Sequence, residues 1–311
     1  MSLYCILSTH SSLTYKEWWC IQCKHAVDVF YSDDSDDAVE AFHLAVSRLD
    51  SRKVLSLLRQ ADRPADTVNC CDRRLRTAAM LVARRAPSDC RCRSHVRRSM
   101  LDILLDAGAR LDLVDVAGNT ALMYAVLSSS ADVVDWLLRA GADARIRNHI
   151  GVTPLWQSVF DVTSRRKNDQ WTIVRLLLMM DCAAEHKCRG PLLFSYGNEY
   201  VYCYEEPVSA LDVAVDARCQ STARLLVSAG CLCSSSLIMS TTTDHHDSST
   251  ATTWLDDLLA ESRTLQHLCR LTIRRFVGLR LETVVTSLRL PVQLKSFLLL
   301  DNIPEPSHCT S

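Results

Sequence analysis

The strongest constraint on the fold is a repeated distance. Gly118-Asn119-Thr120-Ala121-Leu122 returns as Gly151-Val152-Thr153-Pro154-Leu155 after 33 residues, and Gly108 returns as Gly141 at the same interval. A fixed period of that length describes a stack of like units rather than one closed core, because each unit buries its apolar face only against its neighbours.

One whole unit is legible between these landmarks. Thr120 offers a capping hydroxyl to a helix opening Ala121-Leu122-Met123-Tyr124-Ala125, and Val133-Val134-Asp135-Trp136-Leu137-Leu138 forms a second helix. Gly141 then ends the unit where a residue tolerant of positive φ is wanted. The segment from Asp115 to Asn148 resembles an ankyrin repeat.

With that unit as a ruler, four others appear. Ala41-Phe42-His43-Leu44-Ala45 pairs with Val54-Leu55-Ser56-Leu57-Leu58, and Ala79-Met80-Leu81-Val82-Ala83 pairs with Ile103-Leu104-Leu105. Thr153-Pro154-Leu155-Trp156 pairs with Val174-Arg175-Leu176-Leu177-Leu178, and Ser209-Ala210-Leu211-Asp212-Val213-Ala214 with Ala223-Arg224-Leu225-Leu226. Five units exceed the roughly three that a stable array needs. With only 8 Gly and 8 Pro in 311 residues, a turn-rich β fold is disfavoured and an all-α class is expected.

The array departs from its period in three places, which read as insertions looping from one face: residues 87–98, residues 161–170 and a long link over 183–207. Arg84, Arg85, Arg91, Arg93, Arg97 and Arg98 gather around the first and suggest a basic patch for an acidic protein target; a solvated loop is the plain alternative. Trp156 joins them as a candidate target-binding residue. No aromatic ladder interleaves the arginines, and 35 basic against 36 acidic residues give a net charge of −1, so nucleic acid is not the expected partner.

The last fifty or so residues follow a different logic. Leu265, Leu268, Cys269, Thr272, Ile273 and Phe276 recur at three- and four-residue steps, with Ser262 placed to cap a helix and Gly278 to end it. Further apolar pieces cover 281–288 and 292–300, the latter opened by Pro291 where a first-turn proline is tolerated. Three short helices shield too little surface to bury all these leucines, so part of that surface is expected to meet something else.

This stretch resembles the SOCS box, which recruits Elongin B and Elongin C and a Cullin-5 ubiquitin ligase. Its Elongin-binding pattern of small residue, Leu, three of any kind, Cys, three of any kind and an apolar residue is met by Thr264, Leu265, Cys269 and Ile273. Its cullin-selecting pattern is Leu-Pro-apolar-Pro followed by apolar and aromatic residues. Here Leu288-Arg289-Leu290-Pro291 precedes Leu294, Phe297 and Leu298, with Arg289 where the first proline usually stands. By the resemblance, Leu265 enters an apolar pocket on Elongin C, Cys269 packs below it, and Leu268 and Ile273 extend the contact. Leu290, Pro291, Leu294 and Phe297 would support the cullin.

Ankyrin repeats followed by a SOCS box resemble the ankyrin-repeat-and-SOCS-box family, whose members are substrate receptors of Elongin–Cullin ubiquitin ligases. The implied partners are Elongin B, Elongin C, Cullin-5 with its RING subunit, and a protein target. The rival reading is an ankyrin adaptor whose C-terminal helices only cap the solenoid, which requires Leu265 and Cys269 to be buried within the chain.

The domain plan is therefore residues 1–36 as an N-terminal cap or extension, 37–233 as the ankyrin domain, 234–253 as a Ser/Thr-rich linker, 254–305 as the SOCS box and 306–311 as a tail. No cofactor or metal is expected. Cys20, Cys23 and His25 make half a zinc site at most, and His245 and His246 between Asp244 and Asp247 lack a scaffold. Fifteen irregularly spaced cysteines without a secretory apolar run suggest reduced thiols in the cytoplasm, with the nucleus also open. No His-Glu-x-x-His, Gly-x-Ser-x-Gly or Gly-rich phosphate loop occurs, so a non-catalytic role is expected.

Overall fold

The computed structural model describes residues 36–85, 91–149, 151–165, 168–180, 209–217, 219–231, 260, 264–277 and 281–303. Expectations placed on residues 1–35, on the link 183–207, on the run 234–253, and on Ser262 and Gly278 lie outside them. So do Cys20, Cys23, His25, His245 and His246.

Among the described residues the chain is all-α and builds helix pairs. These are α1 (Asp36–Ser47) with α2 (Ser51–Gln60), then after a short α3 (Pro64–Val68), α4 (Ala78–Ala83) with α5 (Arg91–Asp106). The row continues through α6 (Ala121–Leu127) with α7 (Ala131–Arg139), α8 (Pro154–Arg165) with α9 (Asn168–Met180), and α10 (Ala210–Asp216) with α11 (Gln220–Ala229). First helices touch first helices along the stack, α1 to α4 to α6 to α8 to α10, and second helices touch second helices from α2 to α11.

Composition explains the close stacking. Ala78, Ala79, Ala121, Ala125, Ala210 and Ala214 are all buried and take up little width, so neighbouring first helices approach while Leu, Val and Met fill the space between layers. Helix starts are fixed by short polar side chains: Thr120 Oγ1 accepts from Met123 N at 3.3 Å, and Thr153 Oγ1 from Trp156 N at 3.3 Å. Ser209 and Asp212 form a reciprocal capping box, at 3.1 and 2.8 Å.

Between repeats the chain makes the same tight turn three times. Asp72 N donates to Arg76 O, Asp115 N to Asn119 O, and Asn148 N to Val152 O, each at 3.0 Å. The fourth residue of each turn has positive φ, and it is Leu75 (φ 56) in the first but Gly118 (φ 77) and Gly151 (φ 83) in the others. A Cβ on Gly118 would lie 2.7 Å from His149 N and 2.9 Å from Asn148 Cα, which are backbone atoms with nowhere to go. Gly118→Ala is expected to destabilise the array by about 1–3 kcal/mol, read as a lower thermal midpoint, since both the φ and the contact oppose it.

The described parts of two expected insertion loops are helical instead. Residues 91–106 form one helix, and residues 161–165 and 168–170 extend α8 and α9, because neither stretch contains the Gly or Pro that would break a helix. Asp161 and Gln170 are fully buried rather than looped out, and Gln170 Nε2 donates to Val126 O at 2.8 Å, to Ser129 Oγ at 2.9 Å and to Asp161 Oδ2 at 3.3 Å. This amide sews the fourth repeat to the third.

One apolar core runs from Phe42 in α1 to Val227 in α11 and takes in Leu300 and Ile303 from the end of the described chain. Three further helices, α12 (Leu265–Val277), α13 (Leu281–Ser287) and α14 (Val292–Leu298), enclose a much smaller core of Leu281, Val285 and Leu298. Met179 of α9 packs against that small core, so the C-terminal helices lean on the solenoid.

Candidate functional site

α12 forms because its thirteen residues contain no Gly or Pro and because Thr264 caps it: His267 N donates to Thr264 Oγ1 at 3.3 Å.

The helix is turned the opposite way from an ordinary surface helix. Its apolar stripe faces outward, with Leu265 76 %, Leu268 51 %, Ile273 41 % and Phe276 92 % exposed, and Cys269 also exposed among them. Three of its polar residues face inward: His267, Arg270 and Arg274 are all buried, Arg274 at 1 %. Single exposed apolar residues are common, but a continuous stripe of them along one helix is the mark of a contact surface.

The inward face is held in part by contacts of the two arginines. Arg274 Nη2 donates to Leu178 O at 2.9 Å and Nη1 to Leu298 O at 2.6 Å, so one guanidinium occupies carbonyls in the last turns of both α9 and α14. Carbonyls in the last turn of a helix carry the negative end of the helix dipole, which suits a cation. The Arg270 guanidinium lies 3.6 Å from the centre of the Phe297 ring. Burial, and then the nearby Arg270 charge, push the His267 pKa below its ordinary value, so this imidazole is neutral at pH 7.

Further contacts fix the three helices on the array. Leu271 packs against Gly230, whose φ of +98° needs glycine and whose added Cβ would come within 3.0 Å of Leu271 Cδ2. Arg139 Nη2 approaches Glu282 Oε2 at 3.6 Å, and Arg175 pairs with Asp301.

At the candidate cullin positions, Pro291 and Leu294 are exposed, beside exposed Leu288 and Val292. Leu290 and Phe297 are half-buried, the first against the small core and the second beneath Arg270, so they also support the fold.

The candidate target residues divide. Arg84 and Arg85 are exposed, Arg85 donating to Ser47 O, while Arg91 and Arg93 open α5. Two are not surface residues. Arg97 is 3 % exposed, with Nη1 donating to Arg85 O and Ser130 Oγ, both at 2.9 Å, and Nη2 reaching Asp132 Oδ2 at 3.3 Å. It ties the second repeat to the third. Trp156 is buried and stacked on Phe160, with ring centroids 5.3 Å apart, because its first-helix position points into the layer between repeats.

Sequence reasoning did not single out Arg270 and Arg274. Their signal was present, as His267, Arg270 and Arg274 recur at three- and four-residue steps opposite the leucine stripe, but polar residues at that spacing ordinarily face water. Among the described residues no group of three His, Cys, Asp or Glu is placed to hold a metal ion, and no helix is long and apolar enough to cross a membrane.

The rival reading of the C-terminal helices as a mere cap requires Leu265 and Cys269 to be buried, and both are exposed. The family model for the SOCS box matches residues 261–299, and that for ankyrin repeats (3 copies) matches 42–148 and 90–189. No curated protein matches the chain. Both families are typically non-catalytic adaptors, and together they support a substrate-adaptor role in Elongin–Cullin ligases, with the box indicating Elongin B and C and the repeats a protein target. Helix pairs of ankyrin type, followed by a SOCS box whose apolar stripe is left outside, place this chain in the ankyrin-repeat-and-SOCS-box family.

Proposed function

We propose that this chain is the substrate receptor of an Elongin B/C–Cullin-5 RING ligase, with Thr264, Leu265, Leu268, Cys269 and Ile273 contacting Elongin C. The supporting observation is the 76 % exposure of Leu265 on a helix that turns Arg270 and Arg274 inward. Thr264 sets the helix start, Leu265 offers the largest unburied aliphatic side chain of the first turn, and Cys269 lies one turn further along the same stripe. The chain makes and breaks no bond. It holds a target on the repeats and docks the stripe on Elongin C, so that a ubiquitin-charged enzyme meets target lysines at high effective concentration.

Cullin choice is assigned to Pro291 and Leu294, whose side chains are free for contact, with Leu290 and Phe297 shaping the surface beneath. Arg289, exposed where the family usually has proline, borders this surface. Immunoprecipitates of the chain are expected to contain Elongin B, Elongin C and Cullin-5 with its RING subunit. Pro291→Ala with Leu294→Ala is expected to lower cullin recovery about tenfold, as loss of one well-buried contact does, while Elongin recovery stays unchanged. Elongins recovered with a different cullin would reassign this surface.

A further inference from the structure

The first repeat differs from the others in its turn. The second and third turns read Asp115-Val116-Ala117-Gly118-Asn119 and Asn148-His149-Ile150-Gly151-Val152, whereas the first reads Asp72-Arg73-Arg74-Leu75-Arg76. Three arginines replace uncharged residues or histidine. This turn and α1 enclose a groove of about 720 Å³, within the usual range for a binding pocket.

The groove is part apolar and part basic. Val39, Ala41, Leu44 and Leu81 supply carbon, and Leu44 stays 50 % exposed on the first described helix. Its acids are Glu40 and Asp72. Asp72 is occupied: its Oδ1 accepts from Arg74 N and Arg76 N at 2.8 and 2.9 Å, and its Oδ2 from Arg76 Nε at 2.8 Å. Those bonds hold its pKa below the usual carboxylate range despite partial burial. Glu40 only approaches Arg73, at 3.6 Å, and both side chains are mostly exposed, so water competes for that pair. The exposed Arg74 guanidinium has no partner among the described residues.

From this juxtaposition of an exposed leucine, an apolar floor and a turn with two available guanidinium groups, we infer that the groove between α1 and the first turn binds a target segment that places Asp or Glu beside an apolar side chain. The apolar residue covers Leu44, and the acid pairs with Arg74 and displaces Glu40 from Arg73. Arginine suits this role because its planar fork meets a carboxylate with two parallel bonds. The inference names the class of target for the proposed receptor, and it moves the basic recognition surface from residues 91–98 to the first turn.

The test is to pan a display library of randomised twelve-residue peptides on the purified full chain, then measure synthetic copies of the enriched sequences by fluorescence polarisation. Enriched peptides are expected to carry Asp or Glu next to Leu, Ile or Phe. Arg73→Glu with Arg74→Glu is expected to weaken them about tenfold or more, as reversing close charges at an interface does, and Leu44→Asp to weaken them comparably, with thermal midpoints kept near that of the wild type. Enrichment without acidic residues, or affinity indifferent to the double reversal in a folded protein, would overturn the inference. No Elongin enters the assay, so loss of Elongin binding elsewhere and failure of this groove are separate results.

Discussion

Leu265→Ala together with Cys269→Ala is expected to abolish recovery of Elongin B and C while leaving the thermal unfolding of the chain as it was. The second half follows from position: both side chains already face water, so shortening them removes no internal packing. The first half follows from area. Covering one Leu stabilises by about 1.5–3 kcal/mol, and with the thiol removed as well the affinity should fall by roughly two orders of magnitude or more. Reduced recovery accompanied by a lowered melting midpoint would mean that the stripe supports the fold.

The second large effect is expected at Arg274, on the opposite side of the same helix. Arg274→Met keeps the volume but removes the guanidinium that donates to both Leu178 O and Leu298 O. Each charged hydrogen bond of this kind contributes about 1.5–3 kcal/mol, so a loss of about 3 kcal/mol or more is expected. Arg274→Lys should rescue little, because a single ammonium lacks the fork that reaches both carbonyls. Hydrogen exchange should rise across α12 to α14 while α4 to α7 stay protected, and uniform loosening of the whole chain would contradict this division. The leucine stripe points away from Arg274, so Elongin recovery should outlast the damage.

How much of this was legible beforehand depended on whether the cause was local. The 33-residue period, the capping threonines and Gly118 could be read because each solves a local backbone problem. The pattern from Thr264 to Ile273 could be read for the same reason, its spacing placing Leu265, Cys269 and Ile273 along one helix face. The inward side of α12 could not, because the worth of Arg270 and Arg274 lies in Phe297, Leu178 and Leu298, and Leu178 is 96 residues distant in sequence. Residues 91–98 misled in the opposite way. A basic run between two repeats suggested a loop, yet without Gly or Pro it stayed helical and turned Arg97 inward onto Ser130 and Asp132. Trp156 was misplaced by a similar step, since an aromatic on a first helix can face either the groove or the neighbouring repeat, and only its burial, at 1 % exposed, decides.

The most direct measurement is the alkylation of Cys269 by N-ethylmaleimide, followed by mass spectrometry of the peptide that carries it, in the free chain and after addition of purified Elongin B/C. Cys269 should be modified in the free chain and protected once the complex forms, with the partly buried Cys70 and Cys71 serving as internal references. A thiol sealed before Elongin is added, or one still open in a complex shown to have formed, would contradict the account.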